Sequence, residues 1–219
     1  MAKTKKDILK SITKSIFGLF IFSIGDYLSI VANIGLTPWD SFSMSIANRM
    51  DISFGKVSIA ISLIIVFIDL ILKEKIGVGT VLDAILVGTF IDLFTLIIKI
   101  PHTSNLFLCF LYLTIGFIIM AIGQVFYMAA GLSCGPRDSL LVAVGKRMPK
   151  LDIGYVDIIM KVVIILVSYF MGGPIGIGTI YSMVVMGLVM KIVFKLFKFE
   201  PRNIKHENII ETIQKLIMG

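Results

Sequence analysis

Residues 35–50 read GLTPWDSFSMSIANRM, and residues 133–148 read SCGPRDSLLVAVGKRM. The second segment repeats the first at a shift of 98 residues, so that Pro38, Asp40 and Arg49 match Pro136, Asp138 and Arg147. The repetition extends over residues 15–99 and 113–198, with glycines matched at a shift of 98 or 99: Gly18 with Gly116, Gly25 with Gly123, Gly55 with Gly154 and Gly88 with Gly187. This pattern predicts a fold built from one structural unit used twice.

The composition places most of this chain in lipid. It has 219 residues, 57% of them hydrophobic, and a mean hydropathy of +0.98. A soluble domain of this size cannot bury so much apolar surface. The net charge of +7 lies mostly between and outside the apolar runs, so we expect it to orient the protein in the membrane and not to bind nucleic acid. The cysteines and histidines have no metal-ligand spacing, and no metal or cofactor is predicted.

Six apolar runs are long enough to cross a bilayer as helices, which takes about 20 residues: 15–34, 55–72, 77–98, 105–130, 153–171 and 175–197. Segments 38–50 and 136–148 also have a helical pattern, but about 13 helical residues cover only ~20 Å of a ~30 Å core. We predict that each is a half-helix that begins at a proline and re-enters the membrane or lies at its interface. The alternative, in which both segments cross, gives eight spans and two parallel repeats.

The predicted fold is an all-α polytopic membrane protein with six transmembrane helices and two short half-helices, built as two inverted repeats. Each unit has an odd number of spans, so its second copy must lie upside down relative to the first. The predicted boundaries are 1–14 for a basic cytoplasmic N-terminus, 15–99 for repeat 1, 105–198 for repeat 2 and 199–219 for a cytoplasmic tail. The amphipathic end of this tail is expected to rest on the inner membrane surface.

The positive charges agree with this topology. If the N-terminus is cytoplasmic, six crossings place most basic residues on the inner side, among them Lys3, Lys5, Lys73, Lys146, Arg147, Arg202 and Lys205. The outer side carries only Arg49, Lys56 and Lys99. This is the bias of the positive-inside rule, and it predicts that both termini are cytoplasmic.

The two proline turns have two interpretations. Thr37 can be the N-cap of the first half-helix and Asp40 the acid that caps back, while Gly135 takes the cap position before Asp138 in the second copy. The aspartates would then only satisfy backbone donors and the helix dipole. On the functional interpretation, the N-terminus of a half-helix within the membrane aims free N–H groups at an anionic ligand.

Arg137 stands where the first copy has Trp39. Arginine can hold a carboxylate or a phosphate with two parallel hydrogen bonds, so Arg137 and the residues of both turns are candidate substrate-binding residues. The alternative for Arg137 is an ion pair with Asp138, Asp26 or another buried acid. Trp39 is interpreted as an interface anchor or a packing group.

A second repeated motif lies at the start of one predicted span in each copy. It reads Gly77-Val78-Gly79-Thr80 in the first and Gly176-Ile177-Gly178-Thr179 in the second. It has no preceding strand and no Lys-Ser/Thr, so it is not a nucleotide-binding loop. Glycines let helices approach closely, and threonine can hydrogen-bond across the contact. We predict that these residues, with Gly88 and Gly187 further along the same spans, pack helices where the repeats meet.

Charged and polar side chains inside the predicted spans form a third set. Asp92 matches Lys191, and a pseudo-two-fold arrangement would allow the two to pair. Asp26 matches Gln124, and Asp83 lies in the third span. Charge at this depth is costly without a partner or water. These residues are therefore either structural pairs and snorkelling side chains or a relay for protons or cations.

Three motifs resemble the YczE-type family of bacterial integral membrane proteins, which is related more loosely to YyaS and YitT proteins. They are the turn GLTPWD at 35–40, the span GVGTVLDAILVGTFIDL at 77–93 and the turn GPRDSL at 135–140. The resemblance covers most of residues 15–198 and implies a multi-pass protein of the bacterial plasma membrane. It implies neither a substrate nor a reaction.

The repeat architecture favours a transporter or permease for a small solute bound between the repeats, anionic or zwitterionic because of Arg137 and the half-helix ends. Two other classes stay open: a substrate-binding membrane subunit energised by a partner ATPase, and an accessory or scaffold membrane protein. A homo-oligomer is compatible with all three. We expect no enzyme, because no Ser–His, paired-aspartate or metal signature is present.

Overall fold

The computed structural model describes residues 5–100, 103–201, 204 and 207–218, and this part of the chain forms α-helices and no strand. Six of the helices are long and apolar enough to span a bilayer, which confirms the all-α fold with six candidate spans. In chain order the helices are α1 Lys5–Val31, α2 Pro38–Met50, α3 Phe54–Ile71, α4 Val78–Ile97, α5 Leu106–Met128, α6 Pro136–Arg147, α7 Ile153–Phe170, α8 Ile177–Leu196 and α9 Ile209–Met218.

The short helices α2 and α6 have the bounds expected from the proline turns, to within one residue. Pro38 and Pro136 begin them, because proline has the φ of a helix and lacks an N–H that the first position would leave unpaired. The preceding turns also bend at matched residues, Gly35 with a φ of 111° and Ser133 with a φ of 97°. The two copies therefore enter their short helices with the same backbone conformation.

Helix α1 begins ten residues before the predicted span, at Lys5. Residues 5–14 contain no proline or glycine, so nothing stops the helix from continuing beyond its apolar part. Lys3 of the predicted basic N-terminus, and Arg202 and Lys205 of the predicted tail, lie outside the described residues.

Helices α1 and α5 pack on each other through their matched glycines. Gly18 lies against Gly123 and Gly25 against Gly116, so close that a Cβ at Gly25 would stand 2.4 Å from the carbonyl oxygen of Gly116. The partner's number falls as the number in α1 rises, so these helices run antiparallel. Equivalent helices of the two copies therefore cross in opposite directions, and the inversion of the whole repeat stays a prediction.

Each Gly-X-Gly-Thr motif packs on the turn that precedes the short helix of the other copy. The Gly79 N–H donates to the Leu132 carbonyl at 2.8 Å, and Thr80 Oγ1 donates to the Cys134 carbonyl at 2.7 Å. In the other direction, the Gly178 N–H donates to the Ile34 carbonyl at 2.7 Å. Within their own motifs, Thr80 and Thr179 accept hydrogen bonds from the Gly77 and Gly176 N–H groups.

The C-terminal ends of the short helices are fixed to the opposite copy by matched arginines. Arg49 Nε donates to the Met171 carbonyl at the end of α7, at 2.9 Å. Arg147 Nη2 donates to the Leu72 carbonyl at the end of α3, also at 2.9 Å. Cations near helix C-termini are favourable, so each arginine ties a short helix to a span of the other copy.

Helix α9 packs on the protein, and its expected position on the inner membrane surface stays a prediction. The Ile209 N–H donates to the Ile76 carbonyl at 3.0 Å, and the Glu207 N–H donates to the Gly131 carbonyl at 3.3 Å. Thr212 is fully buried. Loop carbonyls without helical partners need donors, and the tail provides them here.

Candidate functional site

A cavity of about 600 Å³ lies between the two copies. Small-molecule sites typically have this size and combine an apolar wall with a few polar groups. The wall contains side chains of six spans and of α6. Its charged residues are the acids Asp26, Asp83, Asp138 and Asp157 and the bases Arg137 and Lys161.

Arg137 joins the two short helices. Its Nη1 atom lies 3.1 Å from Asp40 Oδ1, and the guanidinium stands over the Trp39 ring at 5.6 Å from the ring centroid. The Asp40 side chain is 3% exposed, and that of Arg137 is 29% exposed. A fixed arginine therefore neutralises a buried carboxylate across the interface between the copies.

The capping interpretation of the turns holds for position but not for hydrogen bonding. Thr37 and Gly135 occupy the N-cap positions of α2 and α6. Thr37 makes no side-chain cap hydrogen bond, and its Oγ1 donates to Asp40 Oδ2. The Asp40 carboxylate is thus directed to Thr37 and Arg137, since the arginine offers it a full charge where the helix end offers a partial one.

Asp26 and Gln124 occupy matched positions and both line the cavity. Asp26 is 3% exposed and accepts a long hydrogen bond, 3.5 Å, from Ser29 Oγ. Gln124 is 8% exposed, and its amide has no hydrogen bond to the described residues. Asp83 of α4 also lines the cavity, where a Cβ on Gly135 would lie 2.9 Å from its Oδ2 atom.

Asp138 follows Arg137 in α6 but does not pair with it. It accepts a hydrogen bond of 3.3 Å from the hydroxyl of Tyr127. Burial raises the pKa of the Asp138 carboxyl, while the Tyr127 hydroxyl opposes this shift. Burial and the nearby Asp138 carboxyl also raise the pKa of the Cys134 thiol, to about 12. Cys134 is therefore a protonated thiol and not a nucleophile at neutral pH.

An ion pair lies in the first half of α7 at the cavity wall. Lys161 Nζ is 2.6 Å from Asp157 Oδ2, and both side chains are about one-third exposed, at 32% and 35%. Their i,i+4 spacing in the sequence indicates such a pair. Partly exposed charges within a span need water or a partner around them, so the cavity is expected to be hydrated.

The predicted pair between Asp92 and Lys191 is wrong. Asp92 accepts hydrogen bonds from Ser53 Oγ at 2.6 Å and from the Gly55 N–H at 2.7 Å, at the start of α3. Lys191 is exposed, and among the described residues it forms no ion pair with Asp92. Helix α4 packs on α1 and α3 while α8 packs on α5, so matched positions on α4 and α8 are not neighbours.

The two copies differ most in the packing of their last two spans. In the first copy, Gly55 of α3 meets Gly88 of α4, where a Cβ at Gly55 would lie 2.1 Å from the Gly88 carbonyl oxygen. The matched residues Gly154 and Gly187 have no described atom within 4 Å of an added Cβ, and both line the cavity. Gly187 is therefore not the packing position that the sequence predicts. Helices α3 and α4 are closed on each other, whereas α7 and α8 stand apart.

Several cavity residues were not predicted from the sequence. They are Tyr127, the serines Ser58 and Ser62 of α3, and the methionines Met183, Met186 and Met190 of α8. Among 12 methionines and 6 tyrosines no local signal distinguishes them. The three-to-four-residue spacing of the methionines shows only that they share a helix face.

Comparison with known proteins places the chain in a family. Residues 9–195 match the family described as "Family of unknown function (DUF6198)". The chain belongs to this family. It is 31% identical over 189 residues to "Uncharacterized membrane protein YczE" of Bacillus subtilis, covering 85% of this chain and 86% of that protein. This relative confirms the predicted resemblance to YczE-type membrane proteins.

Two further relatives match over similar lengths. An "Uncharacterized protein" of Haemophilus influenzae is 30% identical over 192 residues, covering 88% of this chain and 87% of the relative. "Uncharacterized protein YyaS" of Bacillus subtilis is 24% identical over 178 residues, covering 80% and 88%. No solved structure is significantly similar to this chain. The comparisons thus support a membrane protein with spans in a bilayer.

Proposed function

We propose that the protein is a transporter for a small solute, with the central cavity as its substrate site. The observation that carries the proposal is the difference between two matched helix pairs. Helices α3 and α4 are closed through Gly55 and Gly88, while α7 and α8 leave Gly154 and Gly187 free beside the cavity. A scaffold has no need for a cavity lined by several charged groups between its two copies.

The sequence repeat predicts a second state, in which the α7–α8 pair is closed and the α3–α4 pair is open. In that state α7 approaches α8 so that Gly154 meets Gly187, and α3 separates from α4. The contact of Ser53 with Asp92 is then replaced by its counterpart, Asp152 with Lys191, which carry opposite charges and are exposed in the present state. Exchange of conformation between inverted repeats is the usual basis of alternating access.

The orientation predicted from the positive charges assigns sides to these states. With a cytoplasmic N-terminus, Gly55 lies at the outer end of α3 and Asp92 in the outer half of α4, whereas Gly154 lies at the inner end of α7 and Lys191 in the inner half of α8; Gly88 and Gly187 lie at the middle of their helices. The present state is then open to the cytoplasm of a bacterial cell and closed to the outside. The antiparallel contact of α1 with α5 supports the inversion on which this assignment depends.

Labelling from both sides of the membrane tests the transporter. The test variant has Ser62→Cys in the cavity, with Cys109 and Cys134 replaced by serine and alanine. We expect a membrane-impermeant maleimide to label position 62 quickly in inside-out vesicles and slowly, but measurably, in right-side-out vesicles. Position 50, at the exposed end of α2, is the control, because Met50→Cys should react from one side only. Labelling of position 62 from a single side would contradict transport.

A further inference from the structure

The cavity has more acids than its bases can neutralise. Lys161 is held by Asp157 at 2.6 Å and Arg137 by Asp40 at 3.1 Å. Asp26, Asp83 and Asp138 line the same cavity, and none of them has an ion-pair partner among the described residues. Buried carboxylates without a paired cation cannot all stay charged unless positive charge is added.

A second feature of the wall also points to a ligand. The Gln124 side chain is 92% removed from solvent, lines the cavity and has no hydrogen bond to the described residues. Buried amides are normally hydrogen-bonded, so this amide is available to a ligand in the cavity. Gln124 matches Asp26 in the sequence repeat, and both side chains line the cavity.

The rest of the wall is apolar and adaptable. Met183, Met186 and Met190 of α8 face the cavity, and Phe22 of α1 lies edge-on to Tyr127, with ring centroids 6.5 Å apart. Methionine side chains repack around ligands of irregular shape, and aromatic faces attract ammonium groups. An ammonium group with an apolar body matches both the acidic and the apolar parts of this wall.

We propose that the cavity binds an organic cation, and that the cation and protons compete for Asp26, Asp83 and Asp138. The empty site holds protons on these carboxyls, and binding of a permanent cation releases them to water, so that charge is conserved. An anionic solute, which Arg137 suggested in the sequence, would add to the negative excess while Arg137 is already occupied by Asp40. This inference rests on the transporter function proposed above and names its substrate class and coupling ion.

The competition involves every titratable or charged group that faces the site. These are Asp26 of α1, Asp40 of α2, Asp83 of α4, Tyr127 of α5, Cys134 before α6, Arg137 and Asp138 of α6, and Asp157 and Lys161 of α7. The two ion pairs fix four of them. Tyr127 and Cys134 stay neutral because burial raises the pKa of the Cys134 thiol to about 12 and because Tyr127 donates to Asp138.

Calorimetry with two probes of equal shape tests the proposal. The full-length protein in lipid nanodiscs is titrated with benzyltrimethylammonium or with benzylsulfonate at pH 6, 7 and 8, in buffers of different ionisation enthalpy. We expect the ammonium to bind with proton release, and its Kd to rise by up to about tenfold per pH unit of acidification for each proton displaced. We expect no binding of the sulfonate.

Single variants Asp26→Asn, Asp83→Asn and Asp138→Asn should each release fewer protons and bind the ammonium more weakly, and the triple variant should not bind it. Asp51→Asn, at the exposed end of α2, is the control that should keep the wild-type Kd. If the triple variant does not fold, the proton counts of the single variants decide.

Three outcomes would overturn the cation proposal: binding of the sulfonate in place of the ammonium, ammonium binding without proton release, and no binding of either probe. None of them bears on the labelling of Ser62→Cys from both sides, which decides separately whether the protein is a transporter. A transporter of anions would therefore show two-sided labelling and sulfonate binding.

Discussion

Arg137 Nη1 lies 3.1 Å from Asp40 Oδ1 and thereby joins the N-terminal turns of the two short helices. The C-terminal ends of these helices are held by Arg49 on α7 and by Arg147 on α3. Each short helix is therefore bound at both ends to the other copy. This arrangement makes the Arg137–Asp40 pair the link around which the two halves of the cavity are assembled.

We expect Arg137→Ala to lower the free energy of unfolding by about 3 kcal/mol, because it leaves the buried Asp40 carboxylate without its cation. Asp40→Ala should also be destabilising, and the double variant should lose clearly less than the sum of the two losses. Chemical unfolding in detergent micelles measures all three. Additive effects of the two substitutions would show that the pair is not coupled.

Matched alanine substitutions should separate the closed helix pair from the open one. Gly55→Ala places a Cβ 2.1 Å from the Gly88 carbonyl oxygen, and overpacking of this kind costs about 1–3 kcal/mol. Gly154→Ala meets no described atom within 4 Å and should leave stability unchanged or raise it by up to ~1 kcal/mol through helix propensity. Thermal unfolding of the two variants compares them directly, and equal losses would contradict the observed asymmetry.

Asp152 and Lys191 are expected to attract each other only when α7 closes on α8. Both are exposed in the present state, but Asp152 is the N-cap of α7, so Asp152→Lys should cost about 0.3–1 kcal/mol of stability through the helix dipole. It should slow labelling of Ser62→Cys from the outside about fivefold, since an exposed ion pair contributes up to ~1 kcal/mol. The charge-reversed double variant, Asp152→Lys with Lys191→Asp, should restore the rate. Failure of the double variant to restore it would separate these residues from closure.

The buried Asp69 of α3 should be replaceable with a gain in stability. Neither of its carboxyl oxygens has a hydrogen bond from the described residues, although the side chain faces Ser139. The matched residues of the other copy, Ser168 and Ser41, share a hydrogen bond of 2.7 Å. We expect Asp69→Ser to stabilise the protein by about 1–3 kcal/mol, because it removes a buried, unpaired carboxyl.

Ser168→Asp provides the reciprocal test of this prediction. It should destabilise the protein by a similar amount, as measured by thermal unfolding. A loss of stability in Asp69→Ser would instead indicate that Asp69 has a partner in the membrane-embedded protein.

Local sequence signals predict much of this fold. The apolar runs locate the six candidate spans, and Pro38 and Pro136 locate the starts of α2 and α6, because helix length and proline geometry are properties of short segments. The packing of Gly18 and Gly25 on α5 depends on the partner helix and was not predicted, although both glycines are matched in the repeat. A glycine matched in both copies is a contact position wherever equivalent helices cross.

The site could not be predicted in the same way, because its residues meet only in three dimensions. Asp92 and Lys191 are matched in sequence, but α4 packs on α1 and α3 while α8 packs on α5, so the two residues are not brought together. Asp26, Asp83 and Asp138 come from three helices, and no spacing along the chain shows that they share a cavity. Gly88 and Gly187 differ in packing although they are identical residues at matched positions, so the sequence cannot reveal the difference.

The central claim is that the two helix pairs open and close in alternation. Pulsed electron–electron double resonance in nanodiscs tests it most directly. Spin labels are placed on a cysteine-free chain at two matched pairs of exposed positions, Lys56 with Leu93 and Tyr155 with Ile192. Distances are recorded from pH 6 to 8, with and without benzyltrimethylammonium or benzylsulfonate. We expect two distances for each labelled pair. The 155–192 distance should shorten as the 56–93 distance lengthens. A single unchanged distance for both pairs under all conditions would contradict the claim.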